Sequence, residues 1–235
     1  MLEHWRSPME NSNVYQFSEG LLKWFRENAR KFPWRTEKDP YKILISEKLL
    51  QQTDTGHVMK VYSEFFKKYP SFEALAASEE DDIAKAIRPL GFWRQRARQF
   101  KIMAQEILTK YKGKIPEEKS ELLSILGIGK YVANAVLCFA FNKDEAIVDV
   151  NIRRLAHRLF YWAKALPKDE DIERLMRSLI TKGDAKEFNW ALIDFATIIC
   201  KRKPKCSICF VKDLCVYYAT EVTLKKQMQV PKGSA

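Results

Sequence analysis

Apolar positions along this 235-residue chain recur at helical spacing almost from end to end. Val58, Val61, Tyr62, Phe65, Phe66 and Tyr69 follow the 3.6-residue period, and Pro70 stops the run. Ser78 followed by Asp81 has the spacing of a capping box, which predicts a helix through Ile83 and Ile87 that Pro89 ends. Phe100, Ala104, Ile107, Leu108 and Tyr111 predict another helix. Two later ones are marked by Ile172, Leu175, Met176, Leu179 and Ile180, and by Phe188, Leu192, Phe195 and Ile199. No segment alternates convincingly with period two, so the pattern predicts an all-α chain.

The stretch from Lys119 to Phe141 is more specialised. A short helix carrying Leu122, Leu123, Ile125 and Leu126 meets Gly127-Ile128-Gly129, and an apolar helix starts at Lys130. Two glycines around one aliphatic residue permit a tight interhelical turn at positive φ, with Ile128 pinning the turn to the core. Backbone N–H groups at the second helix's start then face outward, where a phosphate binds readily. An ordinary αα-hairpin fits the same pattern.

Composition narrows the partners. Eight glycines and nine prolines make up about 7% of the chain, against roughly 12% on average, which disfavours sandwiches, propellers and disordered tails. Forty-one Lys and Arg against thirty Asp and Glu leave a net charge of +11, the balance of a protein that meets a polyanion. No apolar run approaches the roughly 20 residues of a membrane span, and the N-terminus has no stretch of signal-peptide type. A soluble, cytoplasmic monomer with no membrane partner is expected.

Four of the five cysteines, Cys200, Cys206, Cys209 and Cys215, fall within sixteen residues, and an odd total argues against a disulfide framework. Four soft thiolates suit Zn²⁺ or a [4Fe–4S] cluster; one C-x2-C between two five-residue gaps favours the cubane over a zinc ribbon's paired knuckles. Lys201, Arg202, Lys203 and Lys205 occupy four of the five positions between the first two ligands, a basic knuckle suited to phosphate. Cys138, on the apolar helix, reads as core.

Taken together, Leu126-Gly127-Ile128-Gly129, an aspartate about twenty residues on in Ile147-Val148-Asp149-Val150-Asn151, and the terminal four-cysteine loop resemble the helix-hairpin-helix DNA glycosylases of the endonuclease III superfamily. The resemblance runs from about Pro33 to Tyr218 and departs from the family in its first cysteine gap, five residues where six is common. It implies a two-lobed fold. A six-helix barrel would span 33–142, and a cluster lobe would combine the N-terminal helix, 14–32, with 143–235. It further implies a [4Fe–4S] cluster on the four cysteines and a monovalent cation at the hairpin. Double-stranded DNA with a mismatched or damaged base would be the partner, at the nucleoid, its target base swung out of the stack.

The resemblance also assigns roles. Asp149 would stabilise oxocarbenium character in the sugar and orient the attacking water, although a plain helix N-cap accounts for an aspartate there equally well. Tyr131 stands where bifunctional relatives carry a Schiff-base lysine, and Lys130, one residue earlier, points about 100° away, which implies a monofunctional hydrolase. Glu47 would protonate or hydrogen-bond the leaving base, unless it is a solvated glutamate paired with a lysine. Gln51 and Gln52 would contact DNA, Gln51 filling the gap left by the extruded nucleotide, and Phe92 would wedge open the opposite strand, unless it is core. The hairpin residues Gly127, Ile128, Gly129 and Lys130 complete the DNA-binding set.

Within the family, Leu50-Gln51-Gln52-Thr53 and Pro33-Trp34-Arg35 look like adenine glycosylases acting opposite 8-oxoguanine. Gly129-Lys130-Tyr131, Phe188-Asn189-Trp190 and the Ile198–Cys206 stretch look closer to thymine mismatch glycosylases. The glycine that adenine glycosylases usually place after the aspartate is Val150 here, and only about twenty residues follow Cys215, so removal of thymine or uracil opposite guanine is expected. A non-catalytic Fe–S DNA-binding module would account for charge, hairpin and knuckle. It would not account for carboxylates at both Glu47 and Asp149.

Overall fold

A computed structural model describes residues 11–162, 165 and 167–223. Eleven α-helices and no strand occur among the described residues. They are α1 (Asn11–Asn28), α2 (Pro40–Leu50), α3 (Thr55–Lys68), α4 (Phe72–Ala77), α5 (Glu80–Ala86), α6 (Trp93–Tyr111), α7 (Lys119–Ser124), α8 (Lys130–Phe141), α9 (Val150–Ala156), α10 (Asp169–Ser178) and α11 (Ala185–Ile198). No described helix is long and apolar enough to cross a membrane. The chain divides into two compact units, Lys31–Glu145 and the combination of Met1–Arg30 with Ala146–Ala235.

The Lys31–Glu145 unit holds α2 to α8 around one apolar core. Leu44, Ile45 and Leu49 of α2 join Phe65 of α3, Phe100 and Ile107 of α6 and Val132 and Val136 of α8, none more than 1% exposed. Burying each such side chain is worth roughly 1.5–3 kcal/mol, so the apolar periodicity seen in the sequence is what holds the helices together. Helices α2 and α8 depart from amphipathicity, α8 with every residue from Val132 to Phe139 buried, and α2 does so while carrying charge. From Ile43 to Leu49 every residue is buried, including Ser46, Glu47 and Lys48. Charged side chains in a fully enclosed helix need partners, and α2 consequently carries polar structure rather than a solvated face.

The second unit packs α1 on α11, with α9 beside α11. Phe17, Leu21, Ile152, Leu155, Phe188, Leu192 and Phe195 form its core. Past the end of α1, Asp194 of α11, with a fully buried side chain, receives both the Arg30 backbone N–H at 2.9 Å and Arg30 Nε at 2.6 Å.

Two local expectations are corrected. Ser78 does not cap the helix that follows it. Its hydroxyl donates to the Ala74 carbonyl at 2.7 Å, and the residue closes α4, while Glu79 stands at the N-cap of the next helix. Helix α5 starts at Glu80 instead, with Glu80, Asp81 and Asp82 set against the positive end of its dipole, and stops at Ala86 ahead of Pro89. At the hairpin only Gly127 has positive φ, +81°; Gly129 is extended at φ −90°, ψ 177°. A Cβ on Gly129 would meet nothing within 4 Å, so neither backbone nor packing demands glycine there.

Removing the buried charge of Asp194 tests the α1–α11 junction. Asp194→Asn is expected to destabilise the protein by about 2–4 kcal/mol in denaturant titration, because Arg30 loses its charged acceptor in a desolvated site.

Candidate active site and DNA interface

In the Lys31–Glu145 unit the enclosed helix α2 brings Glu47 together with Tyr131 and sets Lys48 against the hairpin. The Tyr131 hydroxyl, one residue into α8, donates to Glu47 Oε2 at 3.1 Å. Glu47 is only 6% exposed, so it is not a solvated glutamate. The adjacent Lys48, 3% exposed, instead sends its Nζ to the Gly127 carbonyl at 2.7 Å, at the bend of the hairpin. Burial, reinforced by the Arg96 charge, brings the Lys48 ammonium down from 10.5 to about 8. A cation belonging to the chain itself thus occupies that carbonyl.

The hairpin around it is open on its outer side. No side chain caps α8, Ile128 is buried, and Gly129 and Lys130 are exposed. The start of α8 therefore presents its dipole and first-turn backbone to solvent, the arrangement that accepts an anion.

Beyond α2 the chain turns through Gln51, Gln52 and Thr53 before Asp54 caps α3 by accepting from the Gly56 N–H at 2.8 Å. Gln52 has φ +50° and is exposed. Phe92, at the mouth of α6, has φ +56° and is 67% exposed, so it is not a core aromatic. A left-handed backbone on a residue with a side chain costs on the order of 1–3 kcal/mol and persists only where the surroundings impose it. Arg96 imposes it at both turns: it donates to the Gly91 carbonyl at 2.7 Å, the Lys48 carbonyl at 2.6 Å, the Thr53 hydroxyl at 3.0 Å and the Gln51 carbonyl.

Asp149 belongs to the other unit, where it caps α9. Its Oδ1 accepts from the Asn151 and Ile152 N–H groups at 2.8 and 2.7 Å, and its Oδ2 from the Asn151 side-chain amide at 2.8 Å. The capping role anticipated for an aspartate there is present. Three donors leave spare lone pairs on a carboxylate, and Oδ2 keeps the larger share. Val150, next to it, is 68% exposed. The Asn151 side-chain oxygen, Oδ1, in turn accepts from Arg154 at 3.0 Å, and Arg154 also donates to the Ala196 and Cys200 backbone carbonyls.

Arg154 thereby leads to the cysteine loop. Arg158, on a π-helical turn (His157–Tyr161), donates to the Lys201 carbonyl at 2.6 Å and the Arg202 carbonyl at 2.9 Å. The side chains of Lys201, Arg202, Lys203 and Lys205 are exposed. All four cysteines line one partly open pocket together with Ile199, Pro204 and Tyr218. Burial pushes the Cys206 and Cys215 thiols up and that of Cys209 to about 12. Among the described residues no three His, Cys, Asp or Glu side chains are placed to hold a single metal ion. Cys138 is fully buried in the other unit.

Arg96, Lys48, Arg154 and Arg158 escaped the sequence reading. For the first two a signal exists: each interrupts an apolar helical face, Lys48 between Ile45 and Leu49 and Arg96 between Trp93 and Phe100. For Arg154 and Arg158 no signal separates them from solvated arginines.

Residues 45–182 match the model of the HhH-GPD superfamily base excision DNA repair protein, and residues 201–215 match the iron-sulfur binding domain of endonuclease III. The chain is 40% identical over 205 residues to a thymine/uracil-DNA glycosylase of Methanothermobacter thermautotrophicus, spanning 86% of this chain and 93% of that protein. It is 36% identical over 208 residues to an adenine DNA glycosylase of Buchnera aphidicola, but that match spans 86% of this chain and only 58% of the relative. The solved structure of a thermostable thymine-DNA glycosylase superposes with a TM-score of 0.85 at 39% identity, covering 89% of this chain and 98% of that one.

The buried ammonium gives the hairpin contact a pH signature. An unfolded Lys48 titrates near 10.5 and the folded one near 8, so between those values the unfolded chain binds more protons and stability rises with pH. Relative to Lys48→Met, the wild type is expected to gain on the order of 2–3 kcal/mol between pH 7.5 and 10.5 in paired denaturation curves. Parallel curves would contradict the depressed ammonium.

Proposed function

Since this chain belongs to the HhH-GPD superfamily of base excision DNA repair proteins and is a DNA glycosylase, we propose that the base it releases is thymine or uracil mispaired with guanine. The observation that carries this choice is the 40% identity to a thymine/uracil-DNA glycosylase over 93% of that protein's length. Val150 following Asp149 supports it from within the chain.

The chemistry follows from two carboxylates in different settings. In this reading the target nucleotide leaves the stack and its C1′ comes to lie beside Asp149. As the C1′–N1 bond breaks, positive charge builds on the sugar, and a carboxylate already oriented by three N–H donors stabilises it without reorganising. The same group orients water for attack on C1′. Glu47, held at Oε2 by the Tyr131 hydroxyl, acts in its protonated form and gives its proton to the departing base, which leaves carrying the bond's electron pair, while the attacking water gives its proton to Asp149. Tyr131 offers no amine for a Schiff base, which supports direct hydrolysis.

DNA is gripped, in this account, at the open start of α8 by Gly127, Ile128, Gly129 and Lys130, and by the exposed Lys201, Arg202, Lys203 and Lys205. Gln51, Gln52 and Phe92 enter the duplex, supported by the strained and exposed turns that carry them. The iron–sulfur cluster of this loop would be a [4Fe–4S] group held by Cys200, Cys206, Cys209 and Cys215. The match of residues 201–215 to the iron-sulfur binding domain of endonuclease III, with all four cysteines lining one pocket, supports it over zinc. When bound, such a group cross-links the loop that carries the basic side chains.

Duplexes containing G·T, G·U, 8-oxoG·A and G·A, each treated with alkali after incubation, test the reading. Thymine- and uracil-strand cleavage is expected, lost at least a thousandfold in Asp149→Asn with duplex binding within about threefold. Borohydride should trap no covalent adduct. Release confined to adenine would replace the assignment of the base, and an Asp149→Asn variant at full activity would displace the acid. Purified protein should be brown, with absorbance near 400 nm that disappears in a Cys206→Ala and Cys209→Ala double variant; a colourless zinc-bearing protein would contradict the cluster.

A further inference from the structure

The guanidinium of Arg96 reaches two turns that the sequence separates by some forty residues. On one side are the carbonyls of Lys48 and Gln51 and the hydroxyl of Thr53; on the other is the carbonyl of Gly91. Arg96 is only 7% exposed, so these are desolvated contacts of a buried cation with neutral acceptors, and no carboxylate is among them. Both turns share an unusual backbone. Gln52 and Phe92 are two of the four residues other than glycine at positive φ among the described ones, and each lies next to a carbonyl the fork holds. Both side chains are exposed, Phe92 by 67%.

A structural task alone would not call for this arrangement. The C-terminal carbonyls of α2 need donors, and water or a lysine would serve a helix end. A planar fork, whose N–H directions are rigidly related, instead ties two separate turns to one plate. We propose that Arg96 is a positioning residue that couples the Gln51–Thr53 turn to the Gly91–Phe92 turn, so that the side chain filling the vacated stack and the wedge on the opposite strand enter the duplex as one body. The inference rests on the reading that these turns penetrate DNA. Arg96 itself, buried under them, touches neither base nor sugar in this account. Its effect falls on the opening of the stack and not on bond breaking.

Arg96→Lys keeps the charge and removes the fork; Thr53→Val removes one acceptor with little change of shape. The probe is a G·T duplex with 2-aminopurine beside the mispaired thymine, whose fluorescence rises when the neighbouring base leaves the stack. Affinity for an undamaged duplex and the melting temperature are measured on the same samples. Arg96→Lys is expected to bind undamaged duplex within about threefold of the wild type while losing at least four-fifths of the fluorescence rise at saturation. Thr53→Val should lose part of it. Gln51→Ala and Phe92→Ala should be non-additive in the wild type and additive with Arg96→Lys. A full fluorescence rise in Arg96→Lys overturns the proposal. So does a loss that only tracks reduced folding or reduced binding, since a merely structural residue would act that way. Base release by the wild type, followed in parallel, reports separately on the glycosylase reading: release with an intact rise in Arg96→Lys removes this inference alone, and no rise with the wild type removes both.

Discussion

Backbone carbonyls in the irregular segments between helices must find donors once they are shielded from water, and this chain supplies them from its own cations. Arg96 serves the turns after α2 and before α6, Lys48 the bend of the hairpin, and Arg154 and Arg158 the entry to the cysteine loop. A hydrogen bond to a charged donor is worth about 1.5–3 kcal/mol, and losing the donor leaves a buried acceptor unsatisfied. Lys48 and Arg96 are thus withdrawn from the surface and spent on shape, while Arg154 and Arg158 serve the loop from partly exposed positions. Turns that would otherwise be loose become rigid platforms, on which other residues are held outward.

That rigidity is what the functional reading draws on. Strained backbone at Gln52 and Phe92, the uncapped start of α8 and the exposed lysines of the cysteine loop would each cost stability without serving the fold. Glu47 is held by a hydrogen bond in a buried position and half-buried Asp149 by three, and in the proposed reaction carboxyl groups so oriented would meet developing charge without reorganising. The positive net charge then has two populations: inward cations that shape the turns and outward cations available to a phosphate backbone.

Helix content was legible from periodicity because each amphipathic helix buries one stripe, as α3, α6 and α11 do. The hairpin was legible because Gly127 and Ile128 do opposite things that only those residue types do well, one adopting positive φ and the other packing inward. Ser78 misled because it ends the preceding helix, where its hydroxyl holds the Ala74 carbonyl, and the next helix begins one residue later from Glu79. Arg154 and Arg158 were invisible because the loop and helix carbonyls they hold lie more than forty residues away, which leaves no mark on local pattern. Arg96 and Lys48 left a fainter mark, a charge interrupting an apolar helical face, which periodicity alone does not distinguish from a boundary of that face.

The central claim is that the Asp149 carboxylate meets the anomeric carbon of a nucleotide drawn out of its duplex. A crystal structure of the protein on a duplex bearing 2′-fluorothymidine opposite guanine, where the electron-withdrawing fluorine keeps the glycosidic bond intact, tests it most directly. The account predicts an extruded sugar with C1′ roughly 3–4 Å from an Asp149 oxygen. A thymidine still stacked in the duplex, or an extruded sugar seated away from that carboxylate, would contradict it.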